Sequence, residues 1–215
     1  KGARNYSEAI AAVSTATDLD PGYDKAHKSL GDLYKVTRKN SRAAAAYEKA
    51  LKANPKNVKA YIELSDVYAD TKQLTKAVST LKRGVTNVPD DANMLTALGF
   101  AQHQSKDFTA AIASYKKALV KKPGSKETNY RISVSYFETQ QYKSAAAAAR
   151  KALSGNFLVP ANVILGDIYE ATKSEGWKDT AITHYQKGLR DRRYKKYCED
   201  KIDRIKNPMG EDEAG

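Results

Sequence analysis

Alanine stands at Ala43, Ala77, Ala111 and Ala145, each 34 residues beyond the last, and proline keeps the same step at Pro21, Pro55, Pro89 and Pro123. A fixed period of this length marks stacked copies of one supersecondary unit, none of which can bury its apolar face alone. It constrains the fold more tightly than length does, since 215 residues would otherwise suit one or two globular domains. The period predicts one continuous array.

A single period, residues 24–57, shows how the unit is built. Asp24 precedes an apolar stripe at His27, Leu30, Leu33 and Tyr34 with helical spacing. A break follows at Thr37 to Asn40, where Asn40 or Ser41 is a candidate cap for a second helix. That helix carries Ala43, Ala46, Tyr47, Ala50 and Leu51 on one face, and Pro55 stops it running into the next unit. Helices of about 13 residues are marginal in water, so each pair must bury its stripe against its neighbours.

Several residue types recur together in this register. A large aliphatic beside a small residue marks the first helix at Leu30-Gly31, Leu64-Ser65, Leu98-Gly99, Ile132-Ser133 and Leu165-Gly166. A tyrosine follows at Tyr34, Tyr68, Tyr136 and Tyr169, with Gln102 the exception. In the second helix a small residue (Ala43, Ala77, Ala111, Ala145, Ala181) precedes a bulky one at Tyr47, Leu81, Tyr115 and Tyr185. A second small residue follows at Ala50, Gly84, Ala118, Ala152 and Gly188. The chain therefore resembles the tetratricopeptide repeat (TPR) family over about residues 3–190. The resemblance implies an all-α fold, a right-handed superhelical solenoid of antiparallel helix pairs whose first helices line a concave groove. It divides the chain into a half repeat at 3–21 and full repeats at 24–57, 58–91, 92–125, 126–158 and 159–190.

The register slips once. No proline closes the repeat from Lys126, Ala149 replaces the bulky residue, and the next Leu-Gly pair arrives one residue early. Gly155-Asn156 suits a left-handed stop and Pro160 a helix start, which predicts a bend near 155–160. About three extra residues follow at Thr172–Lys178, and Trp177 is expected in the slot held by Phe108 and Tyr142. After Gly188 the repeat pattern stops, yet Tyr194, Tyr197, Cys198, Ile202 and Ile205 keep helical steps. Residues 191–206 are expected to form a polar capping helix, and 207–215 a disordered tail. The chain starts at Lys1, without an initiator methionine and inside a repeat, so a fragment or processed product with an uncapped first helix is expected.

Composition narrows the function. No apolar run nears the roughly 20 residues of a membrane span, so a soluble chain is expected, cytoplasmic or periplasmic. One cysteine, Cys198, excludes an internal disulfide framework, and His27, His103 and His184 lie too far apart in sequence to suggest a metal site. Neither a phosphate-cradling glycine loop nor a nucleophile elbow is present, so no enzyme, cofactor or metal chemistry is expected. The net charge of +12 collects late in the second helices, at Lys49 and Lys52, Lys82 and Arg83, Lys116 and Lys117, and Arg150 and Lys151. Cations there complement the helix dipole, so nucleic acid is not the expected partner.

The resemblance also implies where a ligand would lie: two residues before, two after and five after each seam aliphatic. Those positions hold Lys28, Asp32 and Lys35; Ile62, Asp66 and Ala69, with Asp70 beside them; Thr96, Phe100 and His103; Tyr130, Val134 and Phe137; and Val163, Asp167 and Glu170. Charge at both ends and aromatic rings in the middle are therefore expected, with Phe100, Tyr130 and Phe137 as rings the framework does not need. The family's carboxylate clamp for a C-terminal tail is not reproduced. Lys28 fits it, but Asp32, Glu63, Asn93 and Ala97 stand at its other positions, which argues against an Hsp70 or Hsp90 tail. The expected function is a non-catalytic scaffold holding a partner protein or peptide segment in the concave groove. The alternative is a self-assembly module forming homo-oligomers through the groove or the uncapped first repeat.

Overall fold

A computed structural model describes residues 2–208, with side chains from Asn5 onward. Helices are its only regular structure among the described residues: α1 (Gly2–Leu19), α2 (Asp24–Val36), α3 (Asn40–Ala53), α4 (Val58–Asp70), α5 (Leu74–Asn87), α6 (Ala92–Gln104), α7 (Phe108–Lys121), α8 (Lys126–Glu138), α9 (Tyr142–Lys151), α10 (Leu158–Thr172), α11 (Trp177–Gly188) and α12 (Lys195–Lys206). Short connections make successive helices antiparallel neighbours, so the architecture is an all-α solenoid of helix pairs. The chain falls into two compact units, residues 1–121 and 122–215, rather than one. The expected tail lies largely outside the described residues.

The N-terminal unit is built on a seam of residues that the period picks out. Ala43, Tyr47, Ala50, Tyr61, Leu64, Ala77, Leu81, Met94 and Leu98 form one core. The recurring small residue of the first helix has a steric cause. A Cβ placed on Gly31 would stand 2.5 Å from a Tyr47 ring carbon, and one on Gly99 2.6 Å from Tyr115. Gly166 meets Tyr185 in the same way at 2.6 Å. Where the small residue is Ser65 or Ser133, its counterpart on the second helix is Leu81 or Ala149. The pair is therefore matched in size, glycine under a tyrosine ring and serine under something smaller.

Turn chemistry departs from the sequence reading. Neither Asn40 nor Ser41 caps α3: Lys39 holds the cap position and makes no side-chain capping bond. Capping side chains act mainly before first helices, where Asn57, Asp91 and Ser125 accept from the backbone N–H three residues on, and once before a second helix, where Asp107 accepts from the Ala110 N–H ahead of α7. First helices end instead on a periodic left-handed residue, at Arg38, Lys72, Lys106, Gln140 and Lys173. The step between the last two is 33 residues, the same one-residue slip shown by the Leu-Gly pair.

In the C-terminal unit, Gly155 takes a left-handed φ of 53° and a single 3-10 turn, Gly155–Phe157, leads into α10. Trp177 opens α11 as Phe108 opens α7 and Tyr142 opens α9, and it packs in the core of α10, α11 and α12. Helix α12 continues the register that the sequence appeared to lose. A side chain at Gly188 would collide with the Cys198 thiol, just as one at Gly84 would lie 2.8 Å from the Met94 sulfur at the start of the next first helix. Cys198 thus stands where Met94 stands, and α12 is a first helix. Asp203 then falls where the other repeats place glycine or serine, so α12 is unsuited to a second helix and closes the stack.

Candidate partner-binding faces

In the N-terminal unit α2, α4 and α6 are adjacent first helices, and α2 and α4 bring a cluster of charges together across their groove positions. Lys28 donates to Asp32 at 2.7 Å, and the Tyr47 hydroxyl donates to the other Asp32 oxygen at 2.8 Å. Lys35 reaches across to α4, donating to Glu63 at 2.8 Å and more distantly to Asp66 at 3.4 Å. Lys28, Asp32, Lys35, Glu63 and Asp70 line a cleft of about 680 Å³ together with Val36, Arg38 and Asn40. Partial burial, reinforced by the Glu63 and Asp70 charges, holds the Asp66 carboxyl above its ordinary range, although Lys35 pulls the other way. Lys35 is itself held above the usual lysine range: burial opposes its charge, but Glu63 and Asp66 outweigh that.

The other groove positions of this unit differ in access. Thr96 is buried and its hydroxyl donates to the Ala92 carbonyl. Ile62 and Ala69 pack against the core. Phe100 and His103 are half-buried, and the His103 ring meets Phe108 edge-on at 5.0 Å. Glu63 was missed as a site residue. It stands outside the three groove positions counted per repeat, and only the packing of α2 on α4 brings Lys35 to it.

The C-terminal unit places its predicted residues in a packed setting. Tyr130 lies against the Phe157 ring at 5.6 Å, and Phe137 meets Tyr142 edge-on at 5.6 Å. Both rings pack on the core of Ala145, Ala149, Ile164 and Ile168, so they do not form the free aromatic surface that their non-framework positions suggested. Val134 is half-buried and Val163 is buried beneath Cys198 and Ile205. Asp167 accepts from the hydroxyls of Tyr197 (2.6 Å) and Tyr185 (2.8 Å), while Glu170 accepts from Tyr185 (2.8 Å) and Lys201 (2.7 Å). Burial keeps the Asp167 carboxyl above its ordinary range despite those hydroxyls. Burial also acts on Glu170, but the Lys201 and Tyr185 hydrogen bonds outweigh it and leave that carboxyl below its ordinary range. Helix α12 therefore occupies what sequence reasoning took as the open end of the groove. The Lys201–Glu170 pair repeats the Lys35–Glu63 pair between adjacent first helices with the charges exchanged.

Two tetratricopeptide-repeat family profiles match the chain, one over residues 37–99 and one over 77–126. The helix pairs above supply the packing those profiles describe. Residues 37–126 are tetratricopeptide repeats. Among solved structures it is similar to MamA, at 24% identity over 81% of this chain and 94% of that one, with a TM-score of 0.66. It is also similar to YrrB, described as a TPR protein with an unusual peptide-binding site, at 14% identity, 88% and 98% coverage and a TM-score of 0.67. Similarity to the Cut9–Hcn1 assembly has a TM-score of 0.71 at 19% identity, covering 94% of this chain and 40% of that one. No curated protein matches the chain. The described residues hold no cluster of side chains suited to a metal ion, and none of their helices is long and apolar enough to cross a membrane.

Proposed function

We propose that this chain is a non-catalytic scaffold that holds a partner segment against the first-helix face of its N-terminal unit. The observation that carries the reading is the α2–α4 cleft, where charged side chains converge in a volume large enough for several residues of a partner. Its lysines are already satisfied by Asp32, Glu63 and Asp66, and with Asp70 at the rim these four carboxylates exceed Lys28, Lys35 and Arg38 by one charge, a slight excess that favours a segment bearing basic side chains. In the C-terminal unit the corresponding carboxylates, Asp167 and Glu170, are already taken up by Tyr185, Tyr197 and Lys201, which leaves less free charge for such a segment.

Charge reversal tests it. The wild-type chain and an Asp66→Lys, Asp70→Lys variant would be crosslinked in native extract, after circular dichroism confirms equal helicity. Loss of one specific partner from the variant supports the cleft. An unchanged partner set sinks it. A second reading, self-assembly, rests on α1. Ala9, Val13 and Ala16 take the places that Ala43, Tyr47 and Ala50 hold in the next repeat, yet they remain half-exposed with no first helix over them among the described residues. Light scattering would show a mass that rises with concentration, and that falls back on Val13→Lys substitution, if that face joins copies.

A further inference from the structure

The first helices α2, α4, α6 and α8 end in the same way. Lys39, Gln73, Asp107 and Gln141 donate their N–H back to the carbonyls of Tyr34, Tyr68, Gln102 and Tyr136 at 2.8, 2.8, 3.0 and 2.8 Å. The residue before each of these four must turn left-handed, with φ of 58° at Arg38, 62° at Lys72, 63° at Lys106 and 57° at Gln140. Lys173 does the same after α10 at 46°. Glycine adopts this backbone without penalty and is the usual residue at such helix ends, whereas a side chain is strained there. None of the five positions is glycine, and four of them are lysine or arginine. Attraction to the helix C-terminus is a partial compensation, but it is screened at exposed sites, and a cation one residue earlier would gain it without the strain. Strain that recurs with the repeat calls for a role outside the fold.

In the N-terminal unit these turns share one edge. The pairs are antiparallel and α2, α4 and α6 adjoin, so the α2–α3, α4–α5 and α6–α7 turns project together. Arg38, Lys72 and Lys106 are all exposed there, accompanied by Lys39 and by Val36, which is 60% exposed. The edge also carries Asp70 and Asp107, the latter occupied in accepting from the Ala110 N–H. We propose that this cationic edge rests on an anionic lipid surface, with Arg38, Lys72 and Lys106 as its contact residues. A plane of anionic headgroups needs only exposed cations in a row. Single-stranded nucleic acid would call for aromatic side chains to stack its bases, and residues 37–39, 71–73 and 105–107 include none. This inference goes beyond the partner-segment reading and does not depend on it.

The test uses the full chain and vesicles of phosphatidylcholine with and without phosphatidylserine, at low and physiological salt. Wild type is expected to float with the phosphatidylserine vesicles only, and less so as salt rises. Each cation near such a surface is worth about fivefold in partition, so Lys72→Gly, Lys106→Gly is expected to lose roughly 25-fold. The same variant is expected to unfold at a higher temperature, because glycine relieves the left-handed backbone at two sites. Adding Arg38→Gly removes about a further fivefold. A Lys116→Gln, Lys117→Gln control deletes equal charge from α7 and is expected to partition within about twofold of wild type. Three results would overturn the proposal: no vesicle binding by wild type, an equal loss in the control, or retention of an oligonucleotide with vesicles unbound.

Discussion

Substituting Gly99 by alanine tests whether glycine is dictated by the tyrosine it faces. In a helix interior that exchange is ordinarily stabilising by about 1 kcal/mol, because alanine has the better helix propensity. Here the new Cβ would stand 2.6 and 2.7 Å from two carbons of the Tyr115 ring, well inside ordinary contact. Tyr115 is 1% exposed and the ring is rigid, so the first helix must move away from the second. Overpacking of this kind costs about 1–3 kcal/mol, so a net loss of roughly 1–2 kcal/mol is expected after the propensity gain. The Ser65–Leu81 pair shows which combination the site would accept. Gly99→Ser with Tyr115→Leu should therefore be less damaging than the two single changes combined, with a coupling of about 1–2 kcal/mol. Urea unfolding followed by circular dichroism on the four proteins measures the cycle. A stabilised Gly99→Ala protein, or additivity within about 0.5 kcal/mol, would refute the size-matching argument.

Three further outcomes follow from the packing of α12 and the first helices. Burial pushes the Cys198 thiol up to about 11, and its side chain is fully covered, so a thiol reagent at pH 8 should label it only after unfolding; prompt labelling of the native protein would mean that α12 is not seated. Glu170 is held below its ordinary value of 4.5, so its contribution to stability is present above that value and is lost as pH falls through the lowered one. Wild type should accordingly lose more stability below about pH 4.5 than Glu170→Gln does, as measured by urea midpoints across the acid range. Because Lys35–Glu63 and Glu170–Lys201 are one pair with exchanged charges, Lys35→Glu alone should destabilise modestly and Lys35→Glu, Glu63→Lys should recover most of the loss. The coupling, for side chains about 30% exposed, should be on the order of 0.5–1 kcal/mol by double-mutant cycle, and zero coupling would show the pair to be incidental.

The sequence alone determined the unit, its length and its seam, because close packing at a fixed period permits only certain sizes at certain places. Ala43, Ala77, Ala111 and Ala145 are all 0% exposed for that reason. The one-residue slip was equally legible in the early Leu-Gly pair, and the left-handed turn repeats it in the structure. What the tertiary structure decided was which surface positions remain open. Tyr130 and Phe137 looked dispensable to the framework, but Phe157 and Tyr142 pack on them, contacts that the period of one helix does not report. Asp167 and Glu170 read as groove carboxylates until α12 brought Tyr197 and Lys201 to them from 30 and 31 residues away. The first-helix carboxylates of the N-terminal unit sort themselves in the same way. Asp32 receives the Tyr47 hydroxyl, while Asp66, opposite Leu81, has no such hydroxyl and depends on Lys35 of the preceding repeat. Periodicity reports burial along one helix, whereas pairing across repeats depends on the distance between two side chains, and only the packed helices fix that distance.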